Sequence, residues 1–162
     1  MPQSPYEGLP PSSQAHKWYA ICLSFTSAFD GTKSAIEKSV VVKAHFERSA
    51  ALAPDNATAR HLLGMWAFEV ANLSWAKRKV AAALFASPPT ATFDEAHSHF
   101  AAAEKISPGF YPRNRLMLGK ARLQLRDRRG ARAWFEQTIE MPSDNDDDVK
   151  AIAEAKAQLA KM

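Results

Sequence analysis

The chain has 162 residues, with 21 Lys and Arg against 17 Asp and Glu, and 46% of it is hydrophobic. This length suits one domain with a substantial core, and the single cysteine excludes an internal disulfide and a cysteine-rich zinc site. No apolar run approaches the roughly 18 residues that a membrane span needs. The opening residues lack the charged and apolar regions of a signal peptide. We therefore expect a flexible leader over residues 1–13 and one helical domain over residues 14–162.

Helical periodicity predicts the first two helices. Residues 14–29 carry one apolar face at spacings i, i+3, i+4 and i+7. The face consists of Trp18, Ile21, Cys22 and Phe25. Asp30 and Gly31 predict a turn, and the second helix is expected to end before Pro54.

The middle of the chain predicts three further helices. Asn56 precedes an apolar face, and Ser74 can cap an inserted helix that stops at the prolines of residues 87–89. This inserted helix carries the apolar side chains Trp75, Val80, Ala83 and Leu84. A capping box then opens the next helix at residues 92–95. We expect all four tryptophans of the chain on packing faces.

Residues 111–140 predict a third helix pair, and a final helix is expected over residues 149–162. The acidic run before this helix suits a helix start, where the helix dipole favours negative charge. A helical array needs such a terminal helix to cover its last apolar face.

A repeated spacing relates the helix pairs to one another. Ala96, Phe100, Ala103 and Pro108 fall at offsets of 0, 4, 7 and 12, and the segments from Val42 and from Ala131 repeat parts of this pattern. Gly64 and Gly119 precede the second and third occurrences, and Cys22 is expected to be buried at the same place in the first. This is the tetratricopeptide pattern, in which small residues allow close helix crossings and an aromatic ring fills the gap. We predict an all-α, tetratricopeptide-like right-handed helical array (an α-α superhelix) with an inserted helix and a C-terminal capping helix.

Several segments resemble the regulator of microtubule dynamics family. They are HKWYA at 16–20, HLLGMW at 61–66, LSWAKRK at 73–79, SPPTAT at 87–92 and AAEKISPGF at 102–110. The resemblance implies a non-catalytic, microtubule-associated scaffold in microtubule dynamics, the spindle and chromosome segregation. It also implies a cytoplasmic location at the cytoskeleton, spindle and spindle poles, with tubulin and other spindle proteins as partners. One mitochondrial member of that family uses the same domain to bind phospholipid, so a lipid is an alternative ligand.

A basic stretch is the clearest electrostatic feature. Residues 113–132 contain eight basic residues and one acidic residue. The spacing of four arginines predicts one basic helical face, formed by Arg115, Arg122, Arg126 and Arg129. Such a face can attract acidic tubulin tails or anionic lipid head groups, whereas nucleic acid is disfavoured because base-reading motifs are absent. The alternative is a solvated face whose arginines pair locally.

The concave side of the array is the second candidate site. Aligning the chain on Cys22, Gly64 and Gly119 assigns apolar side chains to the inner surface. They are Tyr19, Leu23, Met65, Phe68, Leu116 and Leu123. An apolar groove suits an acyl chain or the apolar face of a partner helix. The alternative is that the final or the inserted helix fills the groove. A generic protein-interaction adaptor is a third reading.

The sequence contains no motif for catalysis. It has no HExxH pair, phosphate loop, nucleophile elbow or paired-carboxylate motif. His97 and His99 stand two residues apart on a predicted helix and point in different directions. We therefore predict no catalytic residue, no metal site and no cofactor.

Overall fold

The computed structural model describes residues 12–27, 29, 31–86 and 88–162, and these residues form eight helices and no strand. The helices are α1 (Ser13–Ser27), α2 (Thr32–Leu52), α3 (Ala57–Ala71), α4 (Trp75–Leu84), α5 (Phe93–Ile106), α6 (Pro112–Gln124), α7 (Arg128–Ile139) and α8 (Asp146–Ala160). The predicted all-α class is confirmed. Within the described ranges, no helix is both long enough and apolar enough to cross a bilayer. Most of the predicted leader lies outside the described residues.

Local capping explains where most of these helices begin. The Asn56 side chain accepts the Ala59 N–H at 3.1 Å, and the Thr92 hydroxyl accepts the Glu95 N–H at 3.1 Å. Ser74 caps α4, and α4 ends at Leu84, so the predicted inserted helix is confirmed. The final helix begins three residues earlier than predicted. Its first turn is fixed by Asn145, whose side-chain oxygen accepts the N–H groups of two following aspartates.

Glycine and phenylalanine set the close crossing of two helix pairs. A Cβ atom at Gly64 would lie 2.6 Å from two ring carbons of Phe100, which is on α5. A Cβ atom at Gly119 would lie 2.4 Å from the Phe135 ring on α7. Both rings are fully buried. The predicted pairing of small residue and aromatic ring is thus present in the α3–α5 and α6–α7 pairs.

Two apolar clusters follow from this pairing. The larger joins α1, α2, α3, α5 and α6 around Phe46, Leu63 and Phe100. The smaller lies between α6, α7 and α8 and contains Leu116, Phe135 and Ala151. Helix α8 therefore covers an apolar face of the third helix pair, as expected of a C-terminal cap.

The first helix pair departs from the expected register. Cys22 is exposed, so its predicted burial at the small-residue position is wrong. Ala20, two residues earlier, is fully buried in the cluster that contains Phe46. Two tryptophans also differ from expectation, because Trp18 is 59% exposed and Trp75 is 74% exposed.

The close crossing predicts that Gly64→Ala destabilises the domain. The added methyl group must displace the buried Phe100 ring, which we expect to cost about 1–3 kcal/mol in unfolding free energy despite a gain in helix propensity. Urea unfolding followed by circular dichroism measures this change. The matched control is Gly31→Ala, because nothing lies within 4 Å of a Cβ atom at Gly31. The control should lose less than about 1 kcal/mol. Equal stability of the two variants would contradict the close-crossing account.

Candidate binding cavity and basic surface

An apolar cavity of about 850 Å³ lies between α1, α2, α3 and the start of α6. Its apolar lining comes from α1, α2, α3 and the loop that precedes α6. The apolar lining residues are Ile21, Phe25, Val42, Phe46, Leu62, Met65, Trp66 and Phe110. The indole N–H of Trp66 donates to the backbone oxygen of Ser39 at 2.9 Å, which leaves that ring's polar atom satisfied within the wall. A cavity of this size and character can hold a small apolar ligand or several side chains of a partner.

A buried histidine forms part of the cavity wall. His61 is 4% exposed, and its Nδ1 lies 3.0 Å from Asn114 Oδ1. The Asn114 amide nitrogen donates to the Phe100 carbonyl and to Glu104, so His61 Nδ1–H is the donor in the shared bond. Burial is the main cause that lowers the pKa of His61 to about 4. The imidazole is therefore neutral at physiological pH.

The second polar group at the cavity joins α6 to α8. Asp147 accepts hydrogen bonds from the Tyr111 hydroxyl and from Arg113 Nε, the latter at 3.0 Å. Arg113 is the main cause that holds the pKa of Asp147 below its usual value. Burial and the same carboxylate raise the pKa of Tyr111 to about 12. Arg113 lines the cavity, but its charge is balanced by Asp147.

Glu69 is the one carboxylate among the described residues that line the cavity. Partial burial raises the pKa of its carboxyl group. The residue as a whole is exposed to solvent, so its carboxyl group lies at the rim of the cavity, where it reaches water. The cavity thus combines an apolar interior with a single acidic rim group.

The structure separates the six residues predicted to line one groove. Met65 lines the cavity. Tyr19 is 38% exposed and contacts the His45 ring, with 4.7 Å between ring centroids and the two planes tilted by 47°. Leu23 packs against the larger cluster, and Phe68 is buried within it. Leu116 and Leu123 belong to the cluster beneath α8. These residues therefore do not form one continuous open trough.

Sequence reasoning missed Ile21 and Phe25 as cavity residues. The cause is the register of α1, which had been aligned on Cys22. With Ala20 at the small-residue position instead, Ile21 takes the place that Met65 takes after Gly64. The signal was present in the sequence, because Ala20 is smaller than Cys22 and lies on the same predicted helix.

The four predicted arginines do not share one helical face. Helix α6 ends at Gln124, and Arg126 lies in the following turn with φ of 63°. Arg129 is on α7, where it is exposed. The spacing of 7, 4 and 3 crosses a helix end, so the expectation of one basic helical face is wrong.

Two of these arginines are paired within the domain. Arg115 Nε lies 2.8 Å from a Glu104 oxygen, and Arg122 lies 3.2 Å from an Asp127 oxygen. Arg126 and Arg129 are exposed and form no ion pair with a carboxylate among the described residues. Of the four predicted arginines, the two that no carboxylate pairs among the described residues therefore lie at or next to the α6–α7 turn.

Known proteins are similar to this chain over nearly its whole length. The family model for regulator of microtubule dynamics proteins 1-3 matches residues 5–162. Regulator of microtubule dynamics protein 1 of Mus musculus is 41% identical over 148 residues, which cover 91% of this chain and 48% of the mouse protein. Regulator of microtubule dynamics protein 3 of Xenopus laevis is 35% identical over 148 residues, covering 91% of this chain and 32% of that protein. The chain thus spans about half the length of its protein 1 relatives, and less of protein 3.

Solved structures support the fold. The tetratricopeptide domain of Arabidopsis OM64 superposes with a TM-score of 0.62 at 16% identity, covering 93% of this chain and 95% of that one. The first tetratricopeptide domain of Spaghetti (RPAP3), solved with an HSP90 peptide, gives a TM-score of 0.53 at 14% identity, with 89% and 98% covered. The predicted tetratricopeptide-like architecture is confirmed.

The burial of His61 predicts a pH-dependent stability. The unfolded chain protonates His61 near pH 6.5, whereas the folded domain does so near pH 4. The unfolded state therefore binds an extra proton between these values, and this group should lower the stability by about 3 kcal/mol as the pH falls from 7 to 4. Urea titrations across this range should show a shallower pH slope for His61→Phe than for the wild type.

The comparison of slopes is needed because burial also lowers the pKa of His97 and His99. These residues affect the pH dependence of stability equally in the wild type and in His61→Phe. A His61 imidazole resonance that titrates near pH 6.5 in NMR spectra of the folded protein would contradict the prediction.

Proposed function

The chain belongs to the regulator of microtubule dynamics family, and from this we propose that it is a non-catalytic microtubule-associated scaffold. The match to the family over residues 5–162 is the observation that carries the proposal. The proposed role is in microtubule dynamics, the spindle and chromosome segregation. The proposed location is cytoplasmic, at the cytoskeleton, spindle and spindle poles, with other spindle proteins as further partners.

The proposed contact surface lies at the α6–α7 turn and consists of Arg126 in the turn and Arg129 at the start of α7. Both side chains are exposed, and their charges are not balanced by ion pairs in the described residues. Acidic tubulin tails are the proposed partner, because a flexible acidic chain can approach an exposed turn without a preformed pocket. Arg115 and Arg122 add to the long-range field, but their ion pairs leave them less able to form direct contacts.

The cavity supports a second candidate function, binding of a lipid or another apolar ligand. It measures about 850 Å³ and is lined mainly by apolar side chains. Each CH₂ group of an acyl chain buried there would contribute about 0.8 kcal/mol before the costs of ordering. The cavity is separate from the α6–α7 turn, so one domain could carry both activities.

Charge reversal at the turn tests the microtubule proposal. The double variant Arg126→Glu, Arg129→Glu should weaken co-sedimentation with microtubules by roughly five- to tenfold at low salt. Added salt and removal of the tubulin tails should also weaken wild-type binding, since both reduce the electrostatic attraction.

The matched control reverses two exposed cations elsewhere, as Lys33→Glu, Arg48→Glu. It changes the net charge equally but leaves the α6–α7 turn intact, so its binding should stay close to that of the wild type. Equal loss in both double variants would assign binding to net charge alone. Wild-type binding that survives loss of the tails would rule out the proposed partner.

A charge placed in the cavity tests the second candidate. Met65→Asp adds a carboxylate to the apolar wall and should abolish binding of a fluorescent fatty acid while sparing microtubule co-sedimentation. The control is Val149→Asp, because Val149 is 55% exposed on α8 and does not line the cavity. Absence of fatty-acid binding by the wild type, or equal binding by both variants, would contradict this function.

A further inference from the structure

Nine of the ten residues of the inserted helix α4 are exposed. Ala81 is its one buried residue, and Arg78 ties the helix to the end of α3 by donating to the Ala71 carbonyl at 2.6 Å and the Leu73 carbonyl at 2.9 Å. These contacts fix the inner side of the helix. The outer side is therefore held in place without being covered.

This outer side is apolar to an unusual degree for exposed surface. We call it the α4 face, and it consists of Trp75, Lys79, Val80, Ala83 and Leu84. Trp75 is 74% exposed, Val80 is 39% exposed and Leu84 is 38% exposed. The ammonium group of Lys79 lies 5.1 Å from the centre of the Trp75 ring. Exposed apolar side chains on one side of a fixed helix indicate a surface that meets an apolar phase or partner.

The charged residues in and around α4 are all basic. Between Glu69 and Asp94 the chain contains no acidic residue, and its three basic residues are the consecutive positions 77–79. Arg78 is engaged with the carbonyl groups at the end of α3, which leaves Lys77 and Lys79 beside the apolar side chains. The α4 face thus favours a partner that is both apolar and negatively charged.

We propose that the α4 face docks on the surface of an anionic lipid bilayer. A tryptophan ring and small aliphatic side chains can enter the region between head groups and acyl chains, while flanking lysines bind the anionic head groups. An acidic polypeptide tail would satisfy the lysines but would leave Trp75 and Leu84 in water. At ten residues the helix is about 15 Å long, so it lies on the bilayer and does not cross it. The proposal does not depend on microtubule binding or on occupancy of the cavity.

Vesicle flotation tests the proposal with vesicles of phosphatidylcholine alone and of phosphatidylcholine mixed with phosphatidylserine. The wild type should bind only the anionic vesicles. Trp75→Ser should weaken this binding, and Lys77→Glu, Lys79→Glu should weaken it by about tenfold or more. All of these side chains are exposed, so circular dichroism melts should match that of the wild type.

The chain offers a closely matched control. Trp18 is also exposed, and Lys17 lies 5.4 Å from its ring, but this pair is on α1. Trp18→Ser and the charge-matched Lys17→Glu, Lys33→Glu should keep wild-type affinity for the vesicles. Quenching of tryptophan fluorescence by brominated lipid should disappear in Trp75→Phe and persist in Trp18→Phe.

Three results would overturn the proposal. The first is no binding of the wild type to anionic vesicles. The second is an equal loss of vesicle binding in the α4 and α1 variants, which would show that binding depends on net charge and exposed aromatic surface in general. The third is binding of a tubulin-tail peptide that is lost in the α4 variants while vesicle binding is unchanged, which would assign the α4 face to an acidic polypeptide.

Discussion

The architecture depends on two places where a helix backbone passes within contact distance of a buried aromatic ring. Gly64 and Gly119 have no side chain, so the rings of Phe100 and Phe135 can lie directly on the helix opposite. Any larger residue would separate α3 from α5 or α6 from α7. The position of α3 also determines the cavity, because Leu62 and Met65 flank Gly64 on the same helix. The packing constraint and the candidate site therefore share one element.

The sequence was most informative where packing depends on residue size. The helices and their pairing were predicted by the repeat spacing from Ala96 to Phe100 with Gly64 before it, by the capping residues Ser74 and Thr92, and by the prolines after α4. The first pair lacks a glycine at this position, and the choice of Cys22 over the smaller Ala20 displaced the predicted groove. The cavity follows from the relative placement of α1 and α3. A periodicity argument treats each helix separately and cannot supply that placement.

The prediction of one basic helical face was wrong for a different reason. Helical spacing between Arg122 and Arg126 assumes one continuous helix, but Arg126 occupies the left-handed region just after α6 ends. The sequence did not predict the ion pairs either. Glu104 is 11 residues from Arg115 and Asp127 is 5 residues from Arg122, and both separations differ from the usual helical spacings of three and four. Three of the eight basic residues in 113–132 pair with a carboxylate on another helix, as Lys120 does with Glu154 of α8. Counting charges in a segment therefore overstated the charge that a partner can meet.

The two ends of the domain differ in what they leave accessible. At the C-terminal end, α8 covers Leu116 and Leu123, and Asp147 and Glu154 bind basic residues of α6, so both apolar surface and charge are used internally. Around α1 and α4 the regular repeat is broken by a shifted register and an inserted helix. There the domain keeps a cavity and two exposed tryptophans, Trp18 and Trp75. Departures from a regular pattern that are not needed for packing tend to mark function. A fixed but uncovered helix such as α4 gains no folding energy from exposing Trp75, so its outer side is best explained by contact with a partner outside the domain.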